Sequence, residues 1–411
     1  MSSPKRQRVV CGMSGGVDSS ATAALLREQG YEVIGITLKL WPQDCVSRAE
    51  DKCCGPQAVT DARAVCHKLH IPYYLIDESA DFQKHVIQYF ADEYKAGRTP
   101  NPCVMCNQNL KFGRLIDRAD QLGADFIATG HFVRVDRASL GADGGVSTLR
   151  SATEDGRNAE LKRCQLTSTG AGGGVRSAEL KAGALTSAVA GRYLLKRGRD
   201  MKKDQSYFLF SLRQDQLARA MFPLGEKTKS DTRAVARQCQ LKTADKEESM
   251  EICFVPDNNY GGFLQAAQLV RKHRGDITDI YGHVLGHHDG IEFYTIGQRR
   301  GLGITTPKPV YVVELEVETN RVVVGDESAL DRDEFVAERC NWHPFEKLEA
   351  PIEVTAKIRY NHPGATATVT PAGDGSVKVK LHTPQRAITP GQAAVFYQDD
   401  LVVGGGWIAR S

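Results

Sequence analysis

The feature that most constrains the fold is the run Ser14-Gly15-Gly16-Val17-Asp18-Ser19, set between an apolar stretch and an amphipathic one. Upstream, Val9-Val10-Cys11-Gly12-Met13 reads as a buried parallel strand. Downstream, Ser19 to Gln29 carries Ala23 and Leu26 at helical spacing and stops at Gly30. Strand, glycine turn and helix together aim several backbone N–H groups and a helix N-terminus at one point, which attracts an anion, most often a phosphate. Two adjacent glycines allow close backbone approach, and Ser14 and Ser19 add hydroxyls. Asp18 suits a helix cap or a Mg²⁺ ligand better than a phosphate contact. An ordinary tight turn of small residues is the bland alternative.

Neither GxxxxGK[ST] nor GxGxxG is present. The run resembles instead the pyrophosphate loop of the ATP pyrophosphatases, which split ATP into AMP and pyrophosphate to activate a substrate oxygen. The loop implies adenylation without naming what is adenylated.

Further strands are expected at Tyr31–Leu38, Pro72–Ile76 and Asp125–His131. Helices are expected at Gln57–Leu69, at Asp81–Lys95 with Asp81 as cap and Gly97 as stop, and at Asn107–Leu122. This alternation predicts an α/β fold with a doubly wound parallel sheet, whose strand C-termini face the ligand. Ser139 to Ala190 has no Phe, Tyr or Trp and is rich in Gly, Ala, Ser and Thr. Such a stretch buries too little apolar surface to offset its ordering entropy, so it reads as a mobile insertion within a hairpin of Phe132–Val135 and Arg192–Leu195. Lys196 to Lys203 holds five basic residues against one acid and leads into Asp204-Gln205-Ser206-Tyr207-Phe208. Basic, amide and aromatic groups interleaved in this way suit RNA. Two amphipathic helices follow, near Arg213–Ala220 and Lys229–Cys239. From about Asp257 onward, short alternating runs between turn residues predict small β modules or a barrel.

At 411 residues the chain exceeds one compact core. A net charge of +3 does not by itself argue for nucleic acid. The N-terminus lacks the apolar core of a signal peptide, and no run is long enough to span a membrane. Eleven irregularly spaced cysteines fit a reducing cytoplasm better than a disulfide framework. Among them Asn101-Pro102-Cys103-Val104-Met105-Cys106-Asn107 sets a CxxC on a turn just before a helix, where a thiolate is stabilised. Half a zinc knuckle is the alternative, but no second CxxC or HxxxH completes it. Cys253 lies on a loop bounded by Pro256, while Cys11 and Cys66 read as core residues.

Taken in order, GMSGGVDSS, AGRTPNPCVMCNQNLKFG, ATGH, KDQSYFL, EICFVP, YTIGQRRGLGI, KIRY and PGQAAVFY resemble the tRNA-specific 2-thiouridylase family along nearly the whole chain. That family places sulfur on C2 of the wobble uridine. The resemblance implies a sheet of the adenine-nucleotide α-hydrolase type in residues 1–256, a small central domain in 257–326, and a tRNA-binding β-barrel in 327–411. Gly12, Met13, Ser14, Gly15, Gly16, Val17, Asp18 and Ser19 then correspond to the ATP loop, with Leu38 and Gly130 as further nucleotide contacts. Cys106 corresponds to the nucleophile and Cys253 to the persulfide carrier, the two forming a redox disulfide during turnover. Lys203, Asp204, Gln205, Arg359 and Tyr360 match tRNA-contacting regions, His131 and Gln392 match single contacts, and Asn101 and Pro102 fall near the target base. Cys103 stands where many members have Asp. Cys103, Cys106 and Cys253 would therefore offer three thiolates to an iron–sulfur cluster. The implied cofactors are ATP and Mg²⁺. The implied partners are the tRNAs for Glu, Gln and Lys and a cysteine desulfurase or sulfur-relay protein, with no membrane and a cytoplasmic location. Two competing readings are a nitrogen-transferring ligase with structural cysteines and a non-enzymatic RNA-binding or metal-carrying module.

Overall fold

The computed structural model describes residues 6–40, 55–140, 146–150, 191–247, 252–255 and 259–410. Nearly all of the expected insertion, the cysteine-rich loop with Cys45, Cys53 and Cys54, and Pro256 lie outside the described residues. Strand β1 (Arg8–Gly12) leads into α1 (Val17–Glu28), then β2 (Glu32–Lys39), α2 (Pro56–Lys68) and β3 (Tyr73–Asp77). A composite helix follows as α3 (Ser79–Phe82), a π-helical stretch (Gln83–Ile87) and α4 (Gln88–Lys95). A second one begins as α5 (Pro102–Cys106), continues through a π-helical stretch (Asn107–Arg114) and ends as α6 (Leu115–Gln121). Then come β4 (Phe126–Ala128), β5 (Val133–Leu140), β6 (Val146–Arg150), β7 (Tyr193–Arg197), α7 (Gln214–Arg219), β8 (Ala220–Met221) and α8 (Lys229–Gln238).

The first sheet has the order β3-β2-β1-β4-β8, and all its pairings are parallel. From β1 the chain winds outward through β2 to β3, then returns to the other side of β1 as β4. The switch point lies between β1 and β4, so the turn after β1 opens into the crevice where such sheets bind ligands. β1 is buried along its middle because helices cover both faces of the sheet.

Two local expectations change. Asp81 does not cap the first composite helix, because that helix starts at Ser79, whose N–H donates to Asp77. Asp81 instead accepts two hydrogen bonds from Arg114. The helix expected from Asn107 begins at Pro102, with Asn101 at its N-cap accepting from the Val104 N–H at 3.4 Å. Proline at a first helical position costs no backbone hydrogen bond, so Asn-Pro starts the helix five residues early.

Beyond the first unit, α9 (Tyr260–Ala266) precedes β9 (Gly275–Asp279), β10 (Val284–His288), β11 (Tyr311–Glu316) and β12 (Arg321–Gly325), which form a sheet ordered β10-β9-β12-β11. The last strands are β13 (Asp331–Trp342), β14 (Ile352–Lys357), β15 (Ala365–Gly373), β16 (Ser376–Arg386), β17 (Ala393–Gln398) and β18 (Leu401–Ile408). They run β13-β16-β15-β14-β17-β18, and the β13–β18 pairing closes them into a six-stranded barrel. The hairpin strands β5 and β7 pair antiparallel, and β7 joins β18 through Leu401 and Lys196. The first unit and the barrel therefore share a sheet. They also share a hydrophobic core in which Val10, Ile127 and Tyr207 pack with Val395, Tyr397 and Trp407.

Candidate nucleotide, thiol and tRNA sites

The turn after β1 is held by its own hydroxyls and by β2. The Met13 N–H donates to the Ile36 carbonyl at 2.8 Å, and buried Thr37 Oγ1 donates to the Met13 carbonyl at 2.7 Å. The Ser14 N–H donates to Ser19 Oγ at 3.2 Å, while the Ser19 and Ser20 hydroxyls both donate to the Gly16 carbonyl. Gly15 has φ +70°, and a Cβ there would stand 2.2 Å from the Ala58 carbonyl oxygen at the start of α2. At Gly130 a Cβ would come within 2.9 Å of the Ser19 nitrogen. Both positions accept only glycine: Gly130 sets its backbone against the N-terminus of α1, and Gly15 sets the loop against the start of α2. Gly16 occupies the N-cap of α1 and contributes no side-chain cap, which leaves this end suited to an anionic ligand.

Asp18 sits in the first helical turn rather than at the cap, and its Oδ1 accepts from Lys229 Nζ at 2.6 Å. Lys229 opens α8, an electrostatically poor place for a cation, and reaches the loop from there. Lys246 Nζ donates to the Gly15 carbonyl at 3.2 Å. Neither lysine stood out in the sequence. The unfavourable start of α8 was a usable signal for Lys229, but the polar stretch around Lys246 offered none.

Cys103 lies half-buried in the first turn of α5, and Cys106 lies buried at its end. The helix dipole acts within the first turn, which holds Cys103 and not Cys106. Cys106 belongs to a cluster with Phe82, Phe90, Leu110, Phe254 and Leu264, and Cys253 packs against the same cluster. Two cysteines remote in sequence thus share one apolar site. Leu38, at the end of β2, packs against that cluster as well as against the core shared by the first unit and the barrel. Among the described residues no group of three or more His, Cys, Asp or Glu side chains is arranged to hold a metal ion. The iron–sulfur ligand set expected of Cys103, Cys106 and Cys253 is not among such groups. Two of the three are tied into an apolar cluster on different chain segments.

The residues expected at tRNA fall into two groups. Asp204 is buried and accepts from the Gly198 N–H, the Ser206 N–H and Ser206 Oγ, so its carboxylate shapes the turn. Gln205 Oε1 accepts from the Phe132 N–H at 3.0 Å. His131 is buried, with Nδ1 2.8 Å from Thr129 Oγ1, and burial and then nearby Lys111 drive its pKa well down, keeping the ring neutral. Arg359 and Tyr360 are exposed. The Tyr360 ring packs on Phe208 at 4.5 Å, with Lys357 Nζ 5.7 Å from its centroid. Its hydroxyl donates to the Asp204 carbonyl, joining the Lys203–Gln205 segment to the barrel. Gln392 Nε2 donates to the Pro100 carbonyl at 3.4 Å, and the Thr99 N–H donates to the Pro390 carbonyl, which sets Gln392 beside Asn101 and Pro102.

A parallel sheet with a glycine turn at its switch point defines a nucleotide-binding domain of the HUP class. Residues 7–168 and 175–257 match a family described as the tRNA methyl transferase HUP domain. Residues 262–326 match the tRNA methyl transferase PRC-barrel domain, and 332–408 the aminomethyltransferase beta-barrel domain. The chain is 45% identical to tRNA-specific 2-thiouridylase MnmA 1 of Caldanaerobacter subterraneus subsp. tengcongensis, over 98% of each chain. It is 44% identical to tRNA-specific 2-thiouridylase MnmA of Heliobacterium modesticaldum, over 99% of this chain and 93% of the relative. The protein from Lachnoclostridium phytofermentans of the same name is 42% identical over 98% of this chain and all of its own length (100%). The chain belongs to the tRNA-specific 2-thiouridylase family. Its HUP-type domain is consistent with the use of ATP. No helix among the described residues is long and apolar enough to cross a membrane.

Proposed function

We propose that the chain catalyses ATP-dependent 2-thiolation of the wobble uridine of tRNA in the cytoplasm, on the tRNAs for Glu, Gln and Lys. The observation that carries this reading is the meeting of Cys106 and Cys253 at one apolar cluster, which Leu38 of β2 ties to the core between the parallel sheet and the barrel. A ligase with merely structural cysteines has no use for that meeting. In this reading residues 1–256 carry the chemistry, the central domain spans 257–326, and the barrel from 327 grips the tRNA.

The uridine C2 oxygen attacks the α-phosphate of ATP held at Gly12–Ser19 and Gly130, and pyrophosphate leaves. The loop amides and the N-terminus of α1 stabilise the phosphate charge. Mg²⁺ takes one or two carboxylates besides phosphate oxygens, so Asp18 would be the residue to hold it, and the ion would offset phosphate charge there. A cysteine desulfurase or relay protein leaves a persulfide on Cys253. Its terminal sulfur attacks C2, and the C2–O bond breaks to release AMP. The Cys106 thiolate then attacks the inner sulfur, and the S–S bond cleaves with its electron pair going to the new thiocarbonyl. A Cys106–Cys253 disulfide remains, to be reduced by an external dithiol before the next turnover. Exposed Arg359 and Tyr360, with Lys203, meet the RNA. His131, Asp204, Gln205 and Gln392 shape that surface beside Asn101, Pro102 and Cys103. The target base leaves an unpaired loop, at a cost of about a few kcal/mol.

The test is nucleoside mass analysis of thiolation-deficient tRNA incubated anaerobically with protein, ATP–Mg²⁺ and a persulfide donor. Cys106→Ser and Cys253→Ser should each bind ATP and tRNA like the parent yet yield no 2-thiouridine. Full product from either variant would sink the cysteine-pair mechanism, and product from the parent only after iron–sulfur reconstitution would replace it with a cluster.

A further inference from the structure

Lys246 takes no part in the reaction just described, yet it reaches the centre of the nucleotide loop. Besides the Gly15 carbonyl, its Nζ binds Asp61 Oδ2 at 2.7 Å. Asp61 is a buried carboxylate on α2 whose Oδ1 also takes Lys242 Nζ at 2.8 Å and Gln57 Nε2 at 2.8 Å. Burial pushes the Asp61 carboxyl up, but hydrogen bonds from Lys242, Lys246 and Gln57 outweigh it and hold the group below the ordinary carboxylate range. The brace is therefore ionised at neutral pH. It grips the loop at the residue whose backbone already sits against Ala58, three residues before Asp61 on the same helix.

The consequence follows from peptide geometry. A trans peptide is planar, and its C=O and the next N–H point in opposite directions. A Gly15 carbonyl held by Lys246 therefore fixes the Gly16 N–H on the far side of that plane. Gly16 is the N-cap of α1, and its own side chain can do nothing to orient the peptide. An unbraced Gly15–Gly16 pair would leave that plane free to rotate, because glycine adopts either sign of φ easily.

We propose that Lys246, braced by Asp61, is a positioning residue for nucleotide binding: it locks the Gly15–Gly16 peptide so that the Gly16 amide faces the phosphates. This rests on the reading that the loop binds ATP. Lys246→Met keeps the stem, and Asp61 retains Lys242 and Gln57, so the fold should stand.

The experiment is calorimetric binding of ATP–Mg²⁺ to the full chain in parent, Lys246→Met and Lys246→Arg forms, with tRNA affinity and the urea midpoint measured alongside. Lys246→Met should weaken ATP binding about tenfold or more, the scale of one charge-assisted hydrogen bond. Its tRNA affinity should match the parent, its urea midpoint should fall only modestly because Lys242 and Gln57 still pair with Asp61, and Lys246→Arg should recover most of the loss of ATP affinity. In turnover the rise in KM for ATP should exceed the fall in kcat. ATP affinity of Lys246→Met within about twofold of the parent overturns the inference. So does a parallel loss of ATP affinity, tRNA affinity and urea midpoint, which would mark a general structural role. A parent that binds no ATP would instead overturn the reading of the loop itself.

Discussion

The nucleotide loop and the cysteine site lie on the same unit but are built on opposite principles. The loop is local: a few consecutive residues bond to one another through Ser14, Ser19 and Ser20, and outside groups only brace it. The cysteine site is assembled from afar, with Cys106 on α5 and Cys253 on a separate segment, and apolar packing is the common feature holding both. A hydrogen-bonded loop presents the same donors to every ATP molecule. An apolar cluster can let a thiol shift by a side-chain rotation, which suits the proposed mechanism, where sulfur is loaded, spent and the pair reduced. The contrast assigns rigidity to recognition and adaptability to sulfur.

The largest blow to that contrast should come from Gly15→Ala. The new Cβ meets the Ala58 carbonyl and the backbone must hold φ +70°, so about 3 kcal/mol or more of stability should go, with ATP binding lost. Alkylation rates of Cys106 and Cys253 in the folded variant should stay at parental values. Changed rates would show that the two regions are not separable. Phe254→Ala works from the other side. It removes a ring that meets Phe82, Phe90 and Phe263 edge-on or tilted at 5.2–5.7 Å, at a cost of about 3 kcal/mol. Cys253 should then alkylate faster and thiolation should fall, while ATP affinity measured by calorimetry holds. An equal fall in ATP affinity would break the comparison. Tyr360→Ala should have the smallest effect: about 1 kcal/mol of tRNA affinity from the lost stacking surface, read by filter binding, with ATP affinity and cysteine reactivity untouched.

The same division explains what could be read from the chain alone. Strand β1, the loop and α1 were evident because their signals are adjacent in sequence, and β2, β3 and α8 fall within a few residues of their expected ranges. The π-helical stretches after Phe82 and Cys106 have no marker in the residue pattern. Strand β18 lacks a continuous strand pattern because Gly404-Gly405-Gly406 interrupts it. In place, a Cβ at Gly405 would lie 2.6 Å from both the Ala394 carbonyl oxygen and the Phe210 ring, so close packing demands glycine there. The joining of β7 to the barrel is a long-range pairing that no local pattern encodes. Nor could spacing show that the Asp204 carboxylate turns inward, where it accepts from Gly198 and Ser206.

Strand β18 pairs with β17, with β13 and, at Leu401, with β7. Seen as an order of synthesis, this makes β18 a keystone that leaves the ribosome after every strand it joins. Until it emerges, the barrel has an open seam and β7 presents an unpaired edge, the kind of surface that invites wrong partners. A chain released just before Leu401 would therefore keep a nucleotide sheet whose strands are all present but a barrel that cannot close. Quality control acting on that intermediate would be sensing the absence of a single late strand.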